Sequence, residues 1–278
     1  LVDAVIQLIR QSPANLALLV FQLFRGRAAF KQYVASRSSF SARTLPIREP
    51  LLTYLRAEKT KGRQLVLATA SHESVAKQVA SHVGIFDHAI GTQGKTNLKG
   101  ENKLRAIRRT VGERFVYAGD SAADLPIWKA AEAAILVGAP RRVALTVRAS
   151  TPIEWELARR QPRLATWVKA LRIHQWLKNL LIFVPLVTAF SFMDVQSLLT
   201  STIAFGAFSL AASAGYIDND LWDLENDRHH PYKRARPIAN AEISINSAIS
   251  VSAITLLVAL FFASTISRQF TFLLVFYL

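Results

Sequence analysis

The chain has 278 residues, with 34 Lys plus Arg against 19 Asp plus Glu, a net charge of +15 and no cysteine. Without cysteine, disulfide-stapled folds, thiolate zinc sites and cysteine nucleophiles are excluded. An apolar fraction of 51% with 16 Phe excludes disorder, and a basic excess on so apolar a chain points to a membrane surface or a phosphorylated substrate.

Residues 1–155 read as a soluble α/β unit. The apolar stretch from Leu16 to Tyr33 is interrupted by Arg25, Arg27 and Lys31, which suits a buried or interfacial helix better than a span. Gln64 to Thr69 is a buried-strand pattern, and Ser71 to Gly84 follows with helical spacing at Val75, Val79 and Val83. Arg114 to Ala118 and Ala134 to Val137 are two further strands. Strand, helix and strand in repetition predict a doubly wound parallel sheet whose ligands gather at the carboxyl ends of the strands, where Thr69 and Asp120 are expected.

Residues 165–278 differ in kind, because charges leave the chain in long blocks. None occurs between Asp194 and Asp218, and none between Glu242 and Arg268. Each gap exceeds the roughly 20 residues that cross the hydrocarbon as a helix, so 195–217 and 243–267 are predicted spans. The shorter uncharged run 179–193, behind Trp176 and Lys178, reads as a third, and 269–278 as a fourth cut short. Arg159, Arg163, Lys169, Arg172 and Lys178 precede these spans, and Arg228, Lys233, Arg234 and Arg236 lie between the two long ones. Excess basic charge on that side puts the N-terminal unit and the Arg228 connector in the cytoplasm of a multi-pass membrane protein. The cations cluster beside spans and no aromatic-rich basic platform appears, so no nucleic acid is expected.

The densest constellation follows Tyr216. If the helix continues, Asp220, Asp223 and Asp227 stand at i, i+3 and i+7 and share one face. Carboxylates so close repel at a poorly screened membrane boundary, and a divalent cation relieves the repulsion. Oxygen ligands with few protein donors suit magnesium, which substrate phosphates usually complete. Arg228, Lys233 and Arg236 could then hold a diphosphate.

Asn219, Asp220, Asp223 and Asp227 resemble the first aspartate-rich motif of the UbiA superfamily of intramembrane prenyltransferases. The run Arg228 to Pro237, and the segment Arg172 to Asn179, are similar to the subgroup related to decaprenyl-phosphate phosphoribosyltransferase. The resemblance implies an all-α transmembrane bundle that uses Mg2+ to activate a prenyl or phosphoribosyl diphosphate, with polyprenyl phosphate as lipid partner. It assigns Asn219, Asp220, Asp223 and Asp227 to metal and Lys178, Asn179, Arg228, Lys233 and Arg236 to diphosphate, with Asp220, Asp223 and Lys178 as catalytic groups. The superfamily's second aspartate-rich motif has no counterpart here, so the chain as it stands is expected to turn over poorly or not at all.

In the N-terminal unit the segments LVLAT, NLKGE and AGDSAAD resemble the haloacid dehalogenase (HAD) superfamily. By that resemblance Thr69 and Lys99 bind phosphate while Asp120 and Asp124 serve a metal. The family's nucleophilic Asp has no match before Thr69, where Asp3 is the only Asp, so no aspartyl-phosphate is expected. An Asp-x-Asp-Gly-Thr stretch upstream and further spans downstream are expected in the complete protein. The combined expectation is a HAD-like hydrolase domain joined to a UbiA-type transferase, with a membrane-anchored phosphatase and an aromatic prenyltransferase of quinone synthesis as alternatives.

Overall fold

The computed structural model describes the chain except residues 1, 13, 27–29, 31, 32, 35, 38–41, 43, 44, 94–96, 160 and 278. It divides into two units, Leu1–Arg160 and Gln161–Leu278.

The first unit opens with helices α1 (Val2–Gln11) and α2 (Asn15–Phe24), followed by α3 (Glu49–Thr60). Strand β1 (Val66–His72), helix α4 (Glu73–Val83) and strand β2 (His88–Thr92) then form a parallel βαβ element. Gly84 ends α4 at φ +74°, the left-handed conformation that glycine adopts without strain. Next come α5 (Glu101–Val111), β3 (Val116–Gly119), a 3₁₀ turn at Ala122–Asp124, α6 (Leu125–Ala130), β4 (Ala133–Val137), α7 (Arg141–Arg148) and β5 (Ile153–Leu157).

Every strand pair is parallel among the described residues, as the strand and helix alternation predicts, but the strands form two sheets. One holds β1 and β2, and the other has the order β3-β4-β5. Burial tracks this division: four of the five β4 residues are buried, whereas all seven in β1 are only partly covered. The core lies around β4, where Trp128, Ile127, Leu136 and Val147 are fully enclosed with Leu104 and Ile107 of α5. Each such side chain contributes about 1.5–3 kcal/mol. Two strands, β2 and β5, were not foreseen. The predicted strand 64–69 extends to His72, so Thr69 lies inside β1 and not at its end. The β1–β2 register is irregular between Ala68 and His72, which puts Thr69 in the unpaired stretch.

The second unit contains α8 (Leu164–Ala170), a 3₁₀ segment (Ile173–Phe183), α9 (Val184–Thr188), α10 (Val195–Trp222), α11 (Leu224–His229), α12 (Ile245–Ile266) and α13 (Arg268–Tyr277). Asp194 and Ser244 cap α10 and α12, accepting from the backbone N–H of Ser197 and Ser247. With 28 and 22 residues, these helices measure about 42 and 33 Å at 1.5 Å per residue, enough to cross a bilayer. Only 33% and 17% of their most apolar windows are buried, far less than core helices of a soluble protein require. Leu198, Leu199, Ile254, Leu257 and Phe261 face outward.

Small residues bring α10 and α12 together: Ala207, Ala211, Ala259 and Ala263 are fully buried in one cluster with Leu274 of α13. Ser252 of α12 donates to the Asp218 carboxylate at 2.7 Å, which gives that extra acid a tie between the helices. The predicted span 179–193 is not one helix. It passes from the 3₁₀ segment into α9, which Pro185 opens, and then turns at Phe190 with φ +54°. Of the predicted stretch 269–278, residues through Tyr277 lie in α13, and Leu278 falls outside the described residues.

Candidate functional site

The end of α10 carries the acidic constellation, and the helix is interrupted there. It stops at Trp222, Asp223 adopts φ −94° and ψ +10°, and α11 resumes at Leu224. Backbone bonds from Asp223 to Asn219 and from Asp227 to Asp223 carry the helical path through the break. The three aspartates consequently do not share one environment as an unbroken helix would give. Asp220 and Asp227 are buried at 4% and 1% exposure, Asp223 is half-buried, and Asn219 is exposed.

Two buried carboxylates in one cluster require cations, and arginines supply them. One nitrogen of Arg236, Nη1, donates to Asp220 Oδ1 at 3.0 Å and to Asp227 Oδ2 at 2.6 Å. Arg172 Nη2 donates to the same Asp220 oxygen at 2.6 Å. Lys233 Nζ stands 3.9 Å from Asp227, and Arg228 Nε donates to the Ala239 carbonyl at 3.3 Å. Arg172 also lies over the Tyr216 ring, 4.6 Å from its centroid. Its backbone has φ +51°, a conformation that costs a non-glycine residue about 1 kcal/mol or more.

The 3₁₀ segment is fastened beside this cluster by serines of α10. Trp176 Nε1 donates to Ser213 Oγ at 3.0 Å, Ser213 donates to the Leu171 carbonyl at 2.7 Å, and Asn179 donates to Ser209 Oγ at 3.0 Å. Lys178 is exposed on the same segment. Gln175 Oε1 is buried without a hydrogen-bond partner among the described residues.

Of the residues assigned to a metal from sequence, the structure brings together Asp220 and Asp227. Among the described residues, no three His, Asp or Glu side chains converge as a metal-ligand set. Asp220 and Asp227 are buried hard-oxygen donors, the ligand type magnesium takes, and the point they share is occupied by Arg236 Nη1. Of the diphosphate candidates, Arg236 joins this cluster directly, Lys233 and Arg228 lie at its edge, and Asn179 is spent on Ser209. Sequence reasoning missed Arg172 as a member of the site. Its signal was an arginine at the head of a segment already singled out.

In the first unit, Asp124 is buried and fully partnered. Tyr117 Oη donates to its Oδ1 at 2.8 Å, Lys103 Nζ lies at 3.0 Å, and Ser121 Oγ donates to Oδ2 at 3.0 Å. Burial pushes the Asp124 carboxyl up, but the bonds from Lys103, Tyr117 and Ser121 prevail and hold it below the usual carboxylate range. Burial and the Asp124 charge push the Tyr117 phenol well above its ordinary value. Gly119 is required beside them, since a Cβ there would meet the Tyr117 ring at 2.8 Å and the Trp128 ring at 2.9 Å.

Asp120 is exposed directly after β3, at a strand's carboxyl end as predicted. Lys99 is exposed on a loop beside the Asp124 turn: a Cβ on Gly100 would lie 3.8 Å from the Ala123 carbonyl. The buried Thr92 hydroxyl donates to Ala70 and accepts from Leu98 N–H, tying that loop to β1. The Thr69 hydroxyl accepts from Ser71 N–H. Lys103, not Lys99, is the ammonium that meets an aspartate here, and it was not anticipated.

Comparison with known proteins agrees with this two-part construction. Residues 180–278 match the UbiA prenyltransferase family and residues 2–129 match haloacid dehalogenase-like hydrolases. Each of the two units is thus similar to a different family. An uncharacterized protein, y4nM, of Sinorhizobium fredii is 40% identical over 93% of this chain and 50% of its own length, so its similarity covers both units. The decaprenyl-phosphate phosphoribosyltransferase of Corynebacterium glutamicum is 39% identical over 42% of the chain and 37% of its own length. Nodulation protein NoeC of Azorhizobium caulinodans is 44% identical over 28% of the chain and 25% of itself. The chain thus spans half or less of the curated relatives it matches. The acidic cluster at Asp220 and Asp227 lies inside the matched UbiA region.

Proposed function

We propose that the UbiA-family unit supplies the acidic half of a membrane-embedded transferase centre. In this reading a prenyl or phosphoribosyl diphosphate is the donor, a polyprenyl phosphate the lipid partner, and the HAD-like unit sits in the cytoplasm at the inner membrane. The observation that carries it is the pair of buried carboxylates, seven residues apart, held on one arginine nitrogen at the end of a membrane-length helix. Burying two acids there is costly unless cationic groups pair with them, as Arg172 and Arg236 do and as a divalent ion would.

Asp220 and Asp227, with Asp223 and Asn219 nearby, are the residues that would hold Mg2+. The ion would neutralise charge on the departing diphosphate. Arg236 and Arg172 position the two carboxylates, and Lys233 and Arg228 at the rim offer donors to phosphate oxygens. Relatives named decaprenyl-phosphate phosphoribosyltransferase favour the phosphoribosyl donor over a prenyl donor and an aromatic acceptor.

Hydrolysis by the HAD-like unit receives less support. Asp124 is saturated by Lys103, Tyr117 and Ser121.

The test is transfer of label from phosphoribosyl diphosphate to polyprenyl phosphate in magnesium, by membranes carrying the complete protein, of which this chain is taken as a part, and by its Asp220→Asn and Asp227→Asn variants. Transfer lost in both variants is expected. Transfer that survives both substitutions, or none from any diphosphate donor to any polyprenyl acceptor, would overturn the proposal.

A further inference from the structure

Helix α2 shows an apolar surface that the fold of its own unit does not use. Leu19 alone is buried on it, at 3% exposure, against Leu8 of α1 and Val34. Leu16, Leu18, Val20, Phe21, Leu23 and Phe24 are all exposed, Phe24 at 86%. Ten residues give about 15 Å of helix, half the hydrocarbon thickness, so α2 is too short to cross a bilayer.

Charge around the helix identifies what covers it. From residue 4 to residue 48 the chain contains no Asp or Glu, while Arg10, Arg25, Arg27, Lys31, Arg37, Arg43 and Arg48 lie in the same stretch. Arg48 is occupied with the Val137 carbonyl, and Arg25 is exposed at the C-terminal end of α2, directly beside Phe24. Apolar contact with a protein partner does not call for flanking sequence that is wholly basic. A bilayer with anionic headgroups does, because apolar side chains enter the acyl boundary while cations stay at the phosphates. The chain also carries two membrane-length helices in its second unit, so a bilayer is always at high local concentration for the first.

We propose that α2 is an interfacial anchor that inserts its exposed apolar face into an anionic leaflet, docking the HAD-like unit on the membrane surface. Leu16, Phe21 and Phe24 enter the acyl region, with Arg25 at the headgroups. This docking is independent of the transfer chemistry.

The chain has no cysteine, so single labelling sites can be introduced cleanly. Phe21→Cys and Phe24→Cys, each labelled with a bimane fluorophore in the full chain, are placed in nanodiscs of phosphatidylcholine and phosphatidylglycerol. Glu113→Cys, on the exposed turn after α5, serves as the reference. The expected result is quenching by lipids brominated in the acyl chain at both α2 sites, with iodide quenching reduced severalfold relative to Glu113→Cys. Weaker bromolipid quenching in phosphatidylcholine alone is also expected. Equal access of iodide to all three sites would overturn the proposal. So would protection from iodide without bromolipid quenching, since protein would then cover the face. Equal bromolipid quenching in the two lipid mixtures would overturn the role given to the basic surround.

Discussion

Arg172 and Asp220 lie 48 residues apart in the chain, and Arg172 Nη2 reaches Asp220 Oδ1 at 2.6 Å from a left-handed backbone conformation. A strained residue persists where surrounding contacts over-determine it, and here they are the ion pair and the Tyr216 ring. The pair locks the 3₁₀ segment against the end of α10, so its loss is felt by the whole cluster.

Replacing Arg172 with alanine removes a charge-assisted bond to a buried acid while keeping the strain, at a cost of about 2 kcal/mol. Arg172→Gly loses the same bond but releases about 1 kcal/mol of left-handed strain. The unfolding midpoint of the chain in detergent should therefore fall in the order wild type, Arg172→Gly, Arg172→Ala. An alanine variant at least as stable as the glycine variant would show that the conformation carries no strain.

How legible this was depends on the range of the contact. The aspartate spacing at 220 and 227 is local, and helical periodicity alone brings those residues toward one side. The break at Asp223 depends on tertiary packing and could not be read. Arg172 joins the site through a contact between distant segments, which no window of sequence displays. In the first unit, β1, β3 and β4 were visible as apolar runs, whereas β5 alternates Ile153, Glu154, Trp155 and Glu156 and resembles a polar connector. Glu154 is used there: it pairs with Arg63 and accepts from Tyr54 Oη at 2.5 Å, while Trp155 stacks on Tyr54. Lys103, four residues beyond the motif's Lys99 and in the first turn of α5, reaches Asp124 through the fold, and no motif marks it.

Under the proposed function, Arg236 and a divalent ion would compete for the same two carboxylates. Arg236→Gln leaves Asp220 with Arg172 and Asp227 with the distant Lys233, so their unneutralised charge should attract an added cation more strongly. Mn2+ binding by the full chain, read by electron paramagnetic resonance, should tighten on the order of fivefold, about 1 kcal/mol. Asp218→Asn, which alters a carboxylate tied to Ser252, should leave Mn2+ affinity unchanged, whereas Asp220→Asn should abolish it. Weaker binding in Arg236→Gln would mean that the arginine builds the site and does not compete for it.

Asp124 gives the first unit an acid-sensitive joint. Its carboxyl is held below the usual range in the folded state, so its contribution is full above the unfolded value of about 3.9 and is lost as pH falls through the folded value. Wild-type stability should drop below about pH 4. Asp124→Asn should lack that portion of the slope and be about 3 kcal/mol less stable at pH 7, where Lys103 loses its counter-charge. Chemical denaturation of both proteins from pH 3 to 7 measures the difference, and parallel curves would show that Asp124 is not the group responsible.

Gly91 marks the tightest backbone approach at any described glycine of the first unit. A Cβ at this position of β2 would stand 2.6 Å from Glu73 Cα and 2.8 Å from Glu73 N, at the start of α4. Both obstacles are backbone, so no side chain can rotate away. The strand must shift or the helix must retreat, and either movement strains the β1–β2 ladder and the Thr92 hydroxyl bond to Ala70. Gly91→Ala should cost about 3 kcal/mol or more, at the upper end of overpacking penalties. Gly62→Ala offers the contrast: its φ of +87° is unfavourable for alanine, but nothing lies within 4 Å of the added carbon. That variant should lose only about 1 kcal/mol, through backbone strain alone. Measured side by side by thermal unfolding, a Gly91→Ala loss no larger than that of Gly62→Ala would mean that β2 is not packed against the first turn of α4.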